Sequence, residues 1–256
     1  MTSISISVAV GVATFGLGML GLYLKRLLPA RHMPTGSKEM IGAIMGLVSL
    51  LLALVLGTLV GSAWGFFASQ KANIETLCAR SLELDLAFRQ YGLETQPLRE
   101  ALRASMTGAY DAIWGNGATH QQQFDVGAYM SRFEKWNETL SSLGAHTPAQ
   151  TQLLSSMSAA SAAFQQTRLL TSLQLASPVS WPVLLIVISW AMLLFCGFGL
   201  LSGLNGTSVA ALAFGSFAVA SAILLILELS QPYAGLFRIP GASMEQTLAA
   251  LNGPRS

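Results

Sequence analysis

Three long stretches of the chain contain no Asp, Glu, Lys or Arg, and they constrain the fold more than any other feature. They cover residues 1–24, 40–70 and 169–227. Because a bilayer core of about 30 Å needs about 20 apolar helical residues, the first two stretches each predict one membrane span and the third predicts two. The turn dipeptide Asn205-Gly206 divides the third stretch. The predicted spans are residues 4–24, 41–67, 179–202 and 208–229. The sequence therefore predicts an all-α integral membrane protein with four transmembrane helices in two pairs.

Composition agrees with a membrane location and argues against several other classes of protein. Charged residues make up 10% of the chain, against about 25% in a typical soluble domain. The net charge of +2 creates no strong field, so we expect no nucleic-acid partner. Two cysteines and three scattered histidines provide neither a disulfide framework nor the ligand spacing of a metal site. Since the sequence also has no nucleophile–base pair and no phosphate-binding glycine loop, we expect no enzyme activity and no cofactor.

A polar segment separates the two pairs of spans, and its periodicity is helical. Along residues 68–178, apolar or small side chains recur at spacings of three and four, which is typical of amphipathic helices. Four such stripes begin at Ile74, Leu98, Val126 and Leu153. Thr147-Pro148 followed by Gln150 is typical of a helix start. We expect the first and fourth helices to continue the second and third spans. The predicted organisation is two spans with a short basic loop, a helical polar domain, a tight hairpin of two spans and a C-terminal tail, at residues 1–67, 68–178, 179–230 and 231–256.

Basic residues are concentrated in the short loop after the first predicted span. The loop has one acid, Glu39, and four basic residues, Lys25, Arg26, Arg31 and Lys38. Short loops rich in Lys and Arg face the cytoplasm. By this rule the polar domain and both termini lie outside. Three basic residues near the membrane on the opposite side oppose the assignment: Lys71, Arg80 and Arg168.

The second predicted span carries a face of small residues at spacings of three and four. Its members are Gly42, Gly46, Ser49, Ala53, Gly57, Gly61 and Gly65. Because small residues let helix backbones approach closely in lipid, this face predicts a helix contact. Two interpretations remain open. The face packs against the other spans of the same chain, or it packs against copies of itself around an axis, which would form a pore. We expect Leu54 to point away from this face.

A motif after the fourth predicted span resembles a motif of a known family. The segment reads Leu227-Glu228-Leu229-Ser230-Gln231-Pro232-Tyr233-Ala234-Gly235-Leu236-Phe237-Arg238-Ile239. With the leucine- and glycine-rich second span and the Ser177–Pro182 segment, it makes the chain from about residue 40 to 251 resemble the bestrophin-like family of bacterial membrane proteins. The positions that match the family motif are Glu228, Pro232, Tyr233, Gly235 and Arg238. Ser230 and Gln231 depart from it, because the family usually has Asp and Arg there. Arg238 is a candidate partner for the Glu228 carboxylate.

The resemblance implies a remote relation to the bestrophin anion channels, which assemble as pentamers around a pore lined by the second helix. It also implies a multi-pass protein of a bacterial inner membrane. Bestrophins keep their soluble helices in the cytoplasm, which conflicts with the charge distribution in this chain.

We therefore expect a homo-oligomeric channel in membrane lipid, with ions as its cargo and anions favoured by the basic loop. Because residues 40–70 carry no charge, the expected constriction is apolar, at Leu54 or Val55, and gates by dewetting. The alternative is a non-conducting scaffold or a sensor whose helical domain binds a partner or a ligand.

Overall fold

The computed structural model describes residues 3–27, 35–115, 126–145, 147–175, 181–233 and 235–253. Every regular element in these ranges is helical. The elements are α1 (Ser3–Leu27), α2 (Thr35–Tyr91), a 3-10 turn (Leu93–Thr95), α3 (Gln96–Trp114), α4 (Val126–Ser141), α5 (Pro148–Leu175), α6 (Trp181–Leu201), α7 (Gly206–Leu229) and α8 (Ala242–Leu251). Four of them, α1, α2, α6 and α7, are long and apolar enough to cross a membrane. The predicted all-α fold with four spans is confirmed.

Two compact units divide the chain. The first, here called the membrane unit, comprises Met1–Phe67 and Pro178–Phe237. The second, here called the helical unit, comprises Ala68–Ser177 and Arg238–Ser256. The helical unit thus contains the polar segment between the spans and also α8, in a tail for which the sequence predicted no helix.

The boundary between the units falls inside α2, which runs without interruption from Thr35 to Tyr91. The predicted continuity of the second span with the first helix of the polar domain is therefore confirmed. The helix ends where Gly92 adopts a φ of 123°, a left-handed conformation that glycine adopts without a steric penalty. On the other side of the polar segment, α5 ends at Leu175 and α6 begins at Trp181. Residues 176–180 lie outside the described residues, so continuity there stays a prediction.

Within the membrane unit, α1 and α6 approach each other at the level of their backbones. A Cβ atom added at Gly21 would overlap the carbonyl group of Cys196. One added at Gly199 would overlap the carbonyl oxygen of Gly18 and lie 2.8 Å from the backbone nitrogen of Leu22. Such close packing requires glycine on both helices. The spacing of small residues in the sequence predicted a helix contact for α2, but it did not predict this contact between α1 and α6.

A lysine at the end of α1 strengthens the same contact. The Nζ of Lys25 donates hydrogen bonds to the carbonyl oxygens of Leu201, at 3.1 Å, and Ser202, at 2.6 Å. The last carbonyls of a helix have no partner within the helix and carry its negative dipole end, so an ammonium group satisfies them and stabilises the end of α6.

The turn between α6 and α7 is as short as the sequence predicts. The side-chain oxygen of Asn205 accepts a hydrogen bond from the backbone N–H of Ser208 at 2.8 Å, so Asn205 is the N-cap of α7. The hydroxyl groups of Ser202 and Ser208 are 2.6 Å apart and close the turn. The predicted helical hairpin is therefore confirmed at this turn.

The core of the helical unit follows the predicted stripes. In α2 the whole stripe is buried: Ile74, Leu77, Ser81, Leu84, Phe88 and Tyr91. The rings of Phe88, Trp136 and Phe164 are in contact, with centroids 5.9 and 6.4 Å apart. The indole of Trp136 donates to the hydroxyl oxygen of Ser161. The predicted cap of α5 is also present, because the backbone N–H of Gln150 donates to Oγ1 of Thr147 at 3.2 Å.

Helix α8 is docked on α2 and α3 by polar contacts around a buried sulfur pair. The hydroxyl of Tyr110 donates to Oε1 of Glu245 at 2.7 Å, and the indole of Trp114 donates to the Ile239 carbonyl at 3.0 Å. Beneath them, Sγ of Cys78 lies 3.7 Å from Sδ of Met244. Cys78 is only 5% exposed, so this native thiol is a poor site for chemical labelling.

The backbone contact between α1 and α6 predicts that Gly21→Ala destabilises the membrane unit. The added methyl group has no room beside the Cys196 carbonyl, and overpacking costs on the order of 1–3 kcal/mol. Thermal unfolding of the purified protein, followed by circular dichroism in detergent, measures the effect. Gly16→Ala is the matched control, because Gly16 is also in α1 but has no neighbour within 4 Å of an added Cβ. Equal melting temperatures for the two variants would contradict the prediction.

Candidate functional site

The small-residue face of α2 is open to the surroundings of the chain. No described atom lies within 4 Å of a Cβ added at any of its five glycines, Gly42, Gly46, Gly57, Gly61 and Gly65. Ala53 and four of those glycines are exposed, whereas Gly42 and Ser49 are half-buried. The Ser49 hydroxyl donates to the carbonyl of Met45 at 2.8 Å, within its own helix. No described part of the chain therefore packs against the glycines of this face.

The opposite face of α2 makes the contacts to the other spans. Leu52 is buried in a cluster with Val187, Ala191 and Leu194 of α6. Further along α2, Ala63 is buried in a second cluster that contains Leu184 of α6 and apolar residues of α7. α2 is thus attached to the membrane unit by side chains along one face, and the glycines of the small-residue face have no partner in the ranges that the structure describes.

The position of Leu54 differs from the sequence prediction. Leu54 is 65% exposed and stands seven residues, or about two helical turns, before Gly61, so both residues lie on the same face of α2. The expectation that Leu54 points away from the glycines is wrong. Val55 instead is partly buried against the Leu52 cluster. Of the two residues predicted to form a constriction, only Leu54 faces outward.

The motif after α7 is a turn built around a buried carboxylate. Glu228 lies in the last turn of α7 and is 3% exposed. Its Oε2 accepts a hydrogen bond from the backbone N–H of Leu236 at 2.6 Å. A buried carboxyl group without a hydrogen-bond partner would be costly. Glu228 therefore holds the returning chain against the end of its own helix.

Gly235 is required in this turn for two reasons. Its φ is +93°, a backbone conformation that side chains disfavour. A Cβ atom there would also overlap Oε2 of Glu228 and lie 2.9 Å from Cδ. The acid and the glycine of the family motif are thus parts of one local structure, in which the glycine makes room for the carboxylate.

The remaining residues of the motif have different surroundings. Pro232 is buried and Tyr233 is half-buried. Burial raises the pKa of the Tyr233 phenol above its usual value, so this side chain stays neutral. Arg238 is exposed. The contact found for Glu228 is the backbone N–H of Leu236. The pairing of Glu228 with Arg238 stays a prediction.

An all-helical chain with four apolar helices of this length belongs to the class of multi-pass membrane proteins. Within that class the family is also clear. A family model described as Bestrophin-like domain matches residues 12–244, most of the chain, so the protein belongs to the bestrophin-like family. No curated protein and no solved structure matches the chain.

The turn around Glu228 predicts that Gly235→Ala lowers stability. The substitution forces a side chain into a left-handed conformation and into the space of the carboxylate, which costs on the order of 1–3 kcal/mol. Melting temperature in detergent is the measurement. Gly203→Ala is the control, because Gly203 also lies in a turn of the membrane unit and has open space around it. A fully stable Gly235→Ala variant would rule out this role for the glycine.

Proposed function

We propose that the protein assembles as a homo-oligomeric channel for anions, with α2 nearest the axis. The observation that carries this proposal is the exposed small-residue face of α2, which has no partner among the described residues of the chain. Glycine in a helix interior costs about 1 kcal/mol relative to alanine. A row of glycines on a lipid-facing surface gains nothing in return. A row of glycines that faces another helix allows the two backbones to pack closely. A row that faces the axis of an oligomer leaves space for a pore.

The outward face of α2 suggests where such a pore is narrow. Leu47, Leu50 and Leu54 are between 60% and 72% exposed, and at helical spacing they lie on the side that continues to Gly57, Gly61 and Gly65. In an oligomer with this side toward the axis, the leucines form an apolar constriction. An apolar constriction gates by losing and regaining water.

The preference for anions rests on basic residues at the two ends of the loop between α1 and α2, which lie in the last turn of α1 and near the start of α2. The ammonium group of Lys25 donates hydrogen bonds to carbonyl oxygens at the end of α6, so the helix dipole partly balances its charge. Arg26 and Lys38 are exposed at the two sides of this loop, and Arg31 lies outside the described residues. Glu39 opposes them with one negative charge. The surplus of positive charge attracts anions to this mouth of the pore.

We also propose that the basic loop faces the cytoplasm and that residues 68–178 lie outside, in the inner membrane of a bacterium. The positive-inside rule supports this orientation, and the likeness to bestrophins favours the opposite one. Enzyme activity is no part of the proposal, and neither is a cofactor or a nucleic-acid partner.

The first test of the proposal concerns assembly. Because no described atom lies within 4 Å of a Cβ added at Gly61, Gly61→Leu should leave the fold of the subunit intact and block close approach of another subunit. We expect a lower oligomeric mass in detergent, measured by light scattering, with a penalty of about 1–3 kcal/mol at each contact. Gly16→Leu, at an exposed glycine of α1 with equal space, should keep the mass of the unmodified protein. An unchanged mass for Gly61→Leu would mean that this face contacts lipid.

The second test measures conduction in liposomes. If Leu54 lines the constriction, Leu54→Ser should raise anion flux by wetting it. Val55→Ser is the control, since Val55 packs toward the Leu52 cluster and should not raise flux. Absence of flux for any small ion, from protein shown to be folded and oligomeric, would overturn the channel proposal and favour the scaffold or sensor.

The third test determines sidedness in intact cells. Cysteine replaces Leu93, which is 91% exposed, in a chain whose Cys78 and Cys196 are changed to Ser. A membrane-impermeant maleimide should label Leu93→Cys in cells whose membrane is intact. The partner variant Gly203→Cys, in the exposed turn between α6 and α7, should label only after opening. The reverse pattern would place the helical domain in the cytoplasm.

A further inference from the structure

Two arginine side chains bind one buried carboxylate in the helical unit. Asp85 of α2 has a side chain that is only 5% exposed. Its Oδ2 accepts a hydrogen bond from Nε of Arg89 at 2.7 Å, and its Oδ1 accepts one from Nε of Arg99 at 2.8 Å. Arg99 belongs to α3. Both carboxylate oxygens therefore have a guanidinium partner, and two positive charges share one negative charge.

A third arginine, Arg103, adds to this positive charge. It stands four residues after Arg99 in α3, so the two side chains are neighbours on one face of the helix. Arg103 is half-buried, and its Nε is buried with no hydrogen-bond partner among the described residues. Like charges at this spacing destabilise a helix, and a buried donor without a partner is costly. Both costs would fall if an anion bound between the two guanidinium groups.

The surplus of positive charge is centred on the two arginines of α3. Arg89 has a second partner, because its Nη2 donates to the carbonyl oxygen of Ala250 at 3.4 Å, near the negative end of α8. The hydrogen bond found for Arg99 uses one of the five N–H donors of its guanidinium. Glu100, the acid next to it in the sequence, is exposed and accepts a hydrogen bond from another residue of α3.

We propose that Arg99 and Arg103 bind a small oxyanion, a phosphate or carboxylate group, in the helical unit. A guanidinium group presents paired N–H donors that match two oxygens of such an anion. Asp85 is a positioning residue, because its carboxylate holds Arg99 by the Nε atom.

The proposed ligand is a water-soluble anion and not a lipid headgroup. Asp85 stands 18 residues after Phe67, where the membrane unit ends on α2, and this separation is about 27 Å along the helix. The headgroup region of a bilayer extends only about 5–8 Å beyond each side of the hydrocarbon core. The site is independent of the proposed channel, since it needs neither a pore nor the small-residue face.

Isothermal titration calorimetry of the full-length protein in detergent tests the site. The probe is inorganic phosphate, with the ionic strength held constant by sodium chloride. We expect one phosphate bound per chain. Arg103→Gln should weaken this binding about tenfold or more, because it removes a charged hydrogen-bond donor. Arg103→Lys should bind with an intermediate affinity, since the ammonium group keeps the charge but has no planar fork. Absence of saturable phosphate binding would overturn the proposal.

The matched control is Arg80→Gln. Arg80 also has a buried Nε with no hydrogen-bond partner in the part of the chain that the structure describes. It stands five residues before Asp85 in α2, so it is turned by about 140° from Asp85 around the helix. Its substitution should leave phosphate binding unchanged. An equal loss of affinity in Arg80→Gln and Arg103→Gln would mean that only the overall charge matters, and would contradict a specific site.

Thermal unfolding gives a second readout. Phosphate should raise the melting temperature of the unmodified protein, because a ligand that binds the folded state stabilises it. It should not raise that of Arg103→Gln. In phosphate-free buffer Arg103→Gln should melt at the same temperature as the unmodified protein or higher, since the repulsion from Arg99 is removed. A lower melting temperature there would show that the fold itself needs the Arg103 guanidinium, and the proposal would fail.

Discussion

The backbone contact between α1 and α6 holds the membrane unit together. Lipid chains are as apolar as the side chains, so the hydrophobic effect does not drive the helices to associate. Close packing of small residues and hydrogen bonds must stabilise the association instead. Gly18, Gly21 and Gly199 provide the packing, and Lys25 adds hydrogen bonds to the end of α6. α7 joins the pair at Gly18, where an added Cβ would be 3.0 Å from Leu212. α2 packs on α6 and α7 through apolar side chains, and no described residue covers the glycines of its small-residue face.

Much of this fold can be predicted from the sequence, because charge and periodicity report directly on spans and buried faces. The four spans, the short turn at Asn205 and the buried stripe of α2 all follow from these two signals. The partner of a small-residue face cannot be predicted in this way. A row of glycines shows that a backbone can be approached, but the approaching helix is chosen by the whole arrangement. The glycines of α1, at positions 18 and 21, carry the tight contact although their row is shorter than that of α2.

The turn after α7 shows a similar limit. The resemblance to the family identified Glu228 and Gly235 as matching residues, but it did not identify the backbone group that the carboxylate binds. Gly235 has a left-handed conformation, and the N–H of the next residue, Leu236, donates to the carboxylate. Linear spacing does not show which backbone group a side chain reaches. Helix α8 had a signal that could have been found, because Met244, Thr247 and Leu251 follow one another at spacings of three and four and are all buried.

The hydrogen bonds of Lys25 also have a consequence for how the protein is made. Its acceptor in α6 lies 176 residues later in the chain. At a synthesis rate of roughly 5–20 residues per second, about 9–35 s pass before the ribosome has made that acceptor. During this interval the glycines of α1 have no helix to pack against, and the Lys25 ammonium group has no α6 carbonyl to bind. Lipids or the insertion machinery must cover this surface until α6 has been synthesised.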